Sequence, residues 1–150
     1  MSEGIFAVVY LSRATVDFQE KDVMELARYA AQENEVGGVS GYLCFKNGLF
    51  VQYLEGNKST ILSLLHRIRD DDRHHIISEV TLGDLSGRHF MGWDMRYLDR
   101  KELKDVRLEN VLDWIIDELQ QERVQERNAL EPIRQMVATI EKLRKNQLIA

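Results

Sequence analysis

The stretch Val39-Ser-Gly-Tyr-Leu-Cys-Phe-Lys-Asn-Gly-Leu-Phe-Val-Gln-Tyr-Leu-Glu-Gly56 decides the fold. Residues 39–45 and 49–55 are apolar, strand-like runs, and Lys46-Asn47-Gly48 between them supplies the positive φ angles of a tight hairpin. Successive side chains of a strand point to opposite faces, so Phe50, Gln52 and Leu54 share one face and Leu49, Val51 and Tyr53 the other. Gln52 is thus an amide set among apolar neighbours, and a buried amide needs hydrogen-bond partners.

Upstream of the hairpin, Ile5-Phe-Ala-Val-Val-Tyr-Leu11 reads as a strand covered on both faces. A helix is predicted from Asp17 to about Asn34, and Val23, Ala27, Ala30 and Asn34 fall on one of its faces, which turns Asn34 inward. Downstream, Ile61, Leu64, Leu65 and Ile68 follow helical spacing after a polar Asn57–Thr60 start, and the run ends in Asp70-Asp-Asp-Arg73. Two more strands are expected at 76–82 and 93–98, across a loop holding Gly83, Gly87 and Gly92. The order is βαββαββ, an α+β ferredoxin-like sheet. Right-handed crossovers put both helices on one face and leave the other needing cover. That cover is available in Leu108, Leu112, Ile115 and Leu119, then Ile133, Met136, Val137, Ile140 and Leu143, with Pro132 suited to a first helical turn. Two C-terminal helices are predicted, either packed on the sheet or forming a coiled-coil seam between two chains.

Composition narrows the functional classes. The chain has 150 residues, enough for one domain with a two-layer core. Its formal net charge is −5 with both signs interspersed, so no basic stripe exists for nucleic acid or an anionic membrane surface. The single cysteine, Cys44, has no partner for an intrachain disulfide, and no leader or membrane-spanning stretch is read, so a reducing cytoplasm is the expected location.

Several polar groups converge on the predicted interior. Tyr10 ends the apolar first strand, with a phenol that needs a hydrogen bond if buried. Taken singly, Tyr10 and Gln52 read as satisfied core residues. Together with Asn34 on the first helix and Arg67 and Asp71 four apart on the second, they could wall one ligand site. The plain reading of Arg67 and Asp71 is an exposed ion pair. Trp93 and Met95 alternate on the last strand and read as core packing. His74-His75 after three aspartates lacks a further spaced ligand, so no metal site is expected. No phosphate loop, nucleophile elbow or HExxH motif occurs, and Ser12 has no base near it in sequence.

The set Tyr10, Asn34, Gln52, Trp93 and Met95, with the strings Phe50-Val-Gln-Tyr-Leu-Glu-Gly56 and Asp71-Asp-Arg-His74, resembles the BLUF domains, which sense blue light using FAD. The resemblance covers roughly residues 4–98. It implies non-covalent FAD, with FMN or riboflavin as substitutes in a recombinant sample. Tyr10 would be the light-driven electron and proton donor, Gln52 the amide that switches its hydrogen bonds, and Asn34 a fixed partner of the flavin ring. Leu26, Arg67, Ile68, Asp71 and His74 match further flavin-side positions, while Trp93 and Met95 match positions that pass the signal to the last strand. Two departures stand out: Glu33, where the family often carries Asn or His, and Gly38-Val-Ser-Gly41, where the usual pattern ends in Thr-Gly.

The expectation is therefore a photosensor, residues 1–98, with a helical extension, 99–150, belonging to the same compact unit. It would signal through the last strand and the C-terminal helices to a separate protein, associate with itself, and turn over no substrate. An acylphosphatase-like hydrolase on the same scaffold would need a phosphate cradle beside an arginine, and no such loop follows strand one. A ligand-binding or assembly module without photochemistry is the other alternative.

Overall fold

The computed structural model describes residues 4–149. The element order is β1 (Ile5–Ala14), α1 (Glu20–Gly37), β2 (Ser40–Lys46), β3 (Leu49–Gly56), α2 (Lys58–Arg69), β4 (His74–Leu85), β5 (Arg96–Tyr97), α3 (Arg100–Asp105), α4 (Glu109–Leu119) and α5 (Glu126–Lys145). The architecture is the α+β sheet read from the sequence.

The hairpin forms as its turn residues dictate: Asn47 and Gly48 take φ of 53° and 78°, and β2 pairs antiparallel with β3 from Lys46↔Leu49 to Ser40↔Glu55. Gly41 is required by contact rather than by φ, since a Cβ there would stand 1.9 Å from the Tyr53 carbonyl oxygen. The sheet order is β4-β1-β3-β2-β5. Because β3 pairs antiparallel with both β1 and β2, the latter two run parallel, and α1 is their crossover. The same logic makes α2 the crossover from β3 to β4.

Each sheet face has its own core. One holds Phe6, Val8, Tyr10, Phe50 and Leu54 against Val23, Ala27, Ile61 and Leu65 of α1 and α2. The other holds Val9, Leu11, Val51 and Tyr53 against Leu112, Ile115, Leu119, Ile133, Met136 and Ile140. The C-terminal helices therefore pack on the sheet, and truncating one of these fully buried Leu or Ile side chains to Ala would cost about 2–5 kcal/mol.

Three expectations are corrected. The C-terminal segment forms three helices, because Asp99 and Glu102 close a reciprocal capping box that starts the short α3. Pro132 lies inside α5, which begins at Glu126; Ala129 and Pro132 are both buried there, so packing holds the extra turns in place. The last strand is only Arg96–Tyr97, paired parallel with Tyr42 and Leu43. Trp93 and Met95 precede it in a bent segment, so the period-2 rule does not apply to them, and their side chains enter opposite cores.

Candidate functional site

In the β1–β3 register Tyr10 stands directly opposite Gln52, which places both side chains on the face covered by α1 and α2. The Tyr10 hydroxyl donates to Gln52 Oε1. Gln52 Nε2 donates in turn to Met95 Sδ at 3.1 Å. Tyr10, Gln52 and Met95 are all buried. Burial, and after it the charges of Asp71 and Glu79, push the Tyr10 phenol far above its usual range, so it stays protonated at any working pH.

Beside this chain opens a cavity of about 330 Å³, within the range of small-molecule sites. Tyr10, Gln52 and Asn34 bring polar atoms to it, while Leu26 and Ala30 of α1, Leu64 and Ile68 of α2, and Leu43 and Phe50 of the hairpin make apolar walls. Asn34 is fixed by its Nδ2–H, which donates to the Asp94 carbonyl at 2.7 Å, and its Oδ1 has no protein partner among the described residues. Apolar walls with amide and phenol groups among them suit a flat aromatic heterocycle carrying its own donors and acceptors.

His74 starts β4 and lines the same cavity. Its Nδ1 lies 2.9 Å from the buried Ser12 Oγ, 62 residues away in sequence. Burial pushes the His74 pKa down against the opposing pull of Asp71, so the ring is held neutral. Asp71 is itself drawn down to about 2, chiefly by the hydrogen bond from Arg73.

The structure brings Tyr10, Asn34, Gln52, Leu26, Arg67, Ile68, Asp71 and His74 to one cavity. It does not bring Trp93 there. Trp93 stacks on Phe90 at 5.5 Å between centroids on the opposite face of the sheet, with the Arg144 guanidinium 5.1 Å from its ring. The expected Arg67–Asp71 ion pair is also absent. Helix α2 stops at Arg69, so the helical i,i+4 spacing does not extend to Asp71. Asp71 accepts a forked pair of hydrogen bonds from Arg73, and Arg67 lies nearest Glu33 at 3.8 Å. Tyr29 and Phe18 line the cavity as well and were not read from the sequence, and Arg73, quoted only within the Asp71–His74 string, was not named as a site residue.

Sequence reasoning also passed over Glu55, which is fully buried. Its Oε1 accepts from Tyr53 O–H and His89 N–H, each at 2.9 Å, and its Oε2 accepts from Ser40 O–H and Phe90 N–H, each at 2.8 Å. Arg88 bonds Ser40 Oγ at 2.9 Å and also the Gly38 carbonyl. The carboxylate thus ties β3 to the loop leading into Trp93 and Met95. His89 carries the link onward to Glu141 of α5 at 2.8 Å. Glu and Ser at these positions match the register pair Ser40↔Glu55, but nothing local in the sequence announces the partners from residues 88–90.

The fold and the cavity together define a ferredoxin-like domain with a pocket between its sheet and two helices, of a size and lining that suit a planar, polar-edged ligand. The family model for sensors of blue light using FAD matches residues 5–96, more than half of the chain, and the chain belongs to this BLUF family. It is 37% identical over 81 residues to the photoactivated adenylate cyclase subunit beta of Euglena gracilis, an alignment covering 54% of this chain and 9% of that protein. The chain thus spans about a tenth of such cyclases. Its structure is similar to the BLUF domain of BlrP1, named from Klebsiella pneumoniae, with TM-score 0.60, 28% identity and coverage of 75% and 77% of the two chains. It shares its fold with the dark-state structure of the BLUF protein BlrB, TM-score 0.67 at 22% identity, over 93% of this chain and 97% of that one. The family binds FAD as its chromophore. No helix among the described residues is long and apolar enough to cross a membrane.

Proposed function

We propose that this chain is a blue-light switch whose moving part is the line Tyr10–Gln52–Met95, and that it acts as a sensor rather than as an enzyme. That unbroken line of hydrogen bonds, which starts from Tyr10 and Gln52 in the cavity wall and ends on Met95 behind it, is the observation carrying the reading. FAD, when bound, supplies the absorption of blue light and, once excited, a strong one-electron oxidant. Asn34 and Gln52 would hold its polar edge, Leu26 and Ile68 its ring, and Arg67, Asp71 and His74 the remaining sides of the site.

The residues themselves set the two states. In the state described here Gln52 accepts at Oε1 from Tyr10 and donates from Nε2 to a thioether. A proton at Tyr10 Oη is already aimed at Gln52 Oε1. Reversing the amide turns Nε2 toward Tyr10 and Oε1 toward Met95, and a thioether sulfur has no hydrogen to give. The reversed amide therefore releases Met95. Met95 sits in the segment that Asn34, Glu55 and α5 hold in place, so its release would be read by the loop and the C-terminal helices, and from them by a partner protein or a second copy of the chain.

The test is an absorption spectrum of the FAD-supplemented protein before and after blue light. A reversible red shift is expected, and Tyr10→Phe should keep the flavin and lose the shift, because the ring remains and the transferable proton does not. A colourless protein, or a Tyr10→Phe variant that switches normally, would defeat the proposal.

A further inference from the structure

Residues 88–94 are held from two directions. On the cavity side the grip comes from the end of α1. Asn34, which lines the cavity, donates from Nδ2 to the Asp94 carbonyl at 2.7 Å, and the carbonyl of Gly38, the C-cap of the same helix, accepts from the Arg88 guanidinium. On the far side the grip comes from the end of α5, through two residues one helical turn apart. Glu141 bonds the His89 ring at 2.8 Å, and Arg144 bonds the Met91 carbonyl while lying against Trp93. Between the two grips sits the buried Glu55 carboxylate. It accepts the backbone N–H groups of His89 and Phe90 and the Ser40 hydroxyl, and Ser40 Oγ in turn accepts from Arg88. Arg88, His89, Glu141 and Arg144 stand outside the cavity lining. The α1 wall of the cavity and the end of α5 are therefore joined without touching, because each acts on the same short segment.

Two sites that favour the same ordered form of a shared element are coupled, and the coupling is equal in both directions. A ligand held against α1 steadies the turn that carries Asn34 and Gly38, through them the segment, and through the segment the last turns of α5. We infer that the end of α5 reports whether the cavity is filled: flavin binding tightens the Glu141–His89 and Arg144–Met91 grips, and a partner that draws α5 away weakens flavin binding by the same factor. This rests on the flavin reading above and goes beyond it, since it needs no light and runs through Arg88 and Glu55 rather than through Gln52 and Met95. The chain then presents three states at α5: without flavin, with flavin in the dark, and after illumination. Only the step between the last two depends on the amide.

Hydrogen exchange of the unsubstituted chain with and without FAD, kept in the dark, reads one direction of the coupling. Amides of residues 88–94 and 139–146 should slow on binding, while those at the start of α5 should not, and in Arg88→Met the end of α5 should no longer respond. Equilibrium dialysis of FAD reads the other direction. Glu141→Ala combined with Arg144→Met removes α5's hold on the segment, and the loss of one such hydrogen bond's net worth should raise the FAD dissociation constant about 3–10-fold. Asp113→Ala is the control: it cuts the 2.6 Å tie of α4 to Lys46 without touching residues 88–94, and should leave the constant within about 2-fold of the parent's. Exchange along α5 that ignores FAD overturns the inference, as does a constant unmoved in the double variant or moved as far in Asp113→Ala. If FAD binds and the spectrum switches while α5 does not respond, the coupling falls and the photosensor stands; a chain that binds no flavin sinks both.

Discussion

Replacing Glu55 by Gln removes a charge while keeping the shape, and the structure fixes what that does. The two carboxylate oxygens each accept one backbone N–H, from His89 and from Phe90, and one hydroxyl, from Tyr53 and from Ser40. Hydroxyls can rotate to accept, but a backbone N–H cannot. Whichever way the new amide is placed, its NH2 group meets one of the two backbone donors and leaves it unsatisfied in the interior, at a cost of about 1–3 kcal/mol. The hydrogen bonds that survive lose their charge assistance, while the lifted burden of burying a charge offsets part of the loss. The net expectation is about 2–3 kcal/mol of destabilisation, which for a chain of this size lowers Tm by about 5–10 °C.

Circular dichroism melts of the two proteins measure that fall, and hydrogen exchange locates it. Because the orphaned donor belongs to His89 or Phe90, amides of residues 86–92 should exchange faster, while those of α1 and α2 keep their protection. A Glu55→Gln protein melting within about 1 °C of the parent would show that the carboxylate contributes nothing that a neutral amide cannot. Uniform loss of protection throughout the sheet would refute the local pin.

Met95→Leu conserves volume and should leave the fold within about 1.5 kcal/mol of the parent, but it deletes the acceptor of Gln52 Nε2 in the dark arrangement alone. The illuminated form should live longer, and recovery after blue light as fast as the parent's or faster would contradict the amide reversal. Because the folded-state pKa of His74 is depressed, the unfolded chain binds the extra proton; the stability His74 contributes is whole above its ordinary value of about 6.5 and falls as acid carries the pH down toward the folded value. Asp71, also depressed, keeps its contribution above about pH 4 and loses it toward pH 2. A slope in Tm between pH 6.5 and 5 that persists in His74→Gln would assign it to another group.

What was legible in the sequence follows from how local each signal is. The hairpin was plain because Asn47-Gly48 and the alternation about Gln52 act within a few residues. Asn34 was placed inward by helical period alone, and it is buried. The reading failed where one local rule gave way to another. Apolar spacing placed Trp93 and Met95 on a last strand over 93–98, but the strand begins only at Arg96, and the bent segment before it sends the two side chains to opposite layers. Period 3.6 joined Arg67 to Asp71, but the helix ends between them. Ser12 with His74, Glu55 with His89 and Phe90, and Arg67 with Glu33 were beyond reach for a different reason. Each joins elements distant along the chain, through a side chain whose local pattern is satisfied equally well by solvent.

That division bears on how a switch can be built from such a chain. The parts that fix the fold are repeated and redundant: two apolar cores, and a hairpin whose register is set by its turn. The parts that would move are single atoms with one partner each. Gln52 Nε2 reaches Met95 Sδ, and Asn34 Nδ2 reaches the Asp94 carbonyl one residue earlier. From the opposite side of the sheet, Glu55 and Arg144 hold the same segment through His89, Phe90 and the Met91 carbonyl. A reversal of one amide changes the balance by no more than a hydrogen bond or two, about 1–3 kcal/mol, too little to disturb either core. It is comparable to what retains one short segment, so the 86–95 segment is where a change of that size can tip an equilibrium. Its contacts with α5 would then carry the difference to the surface.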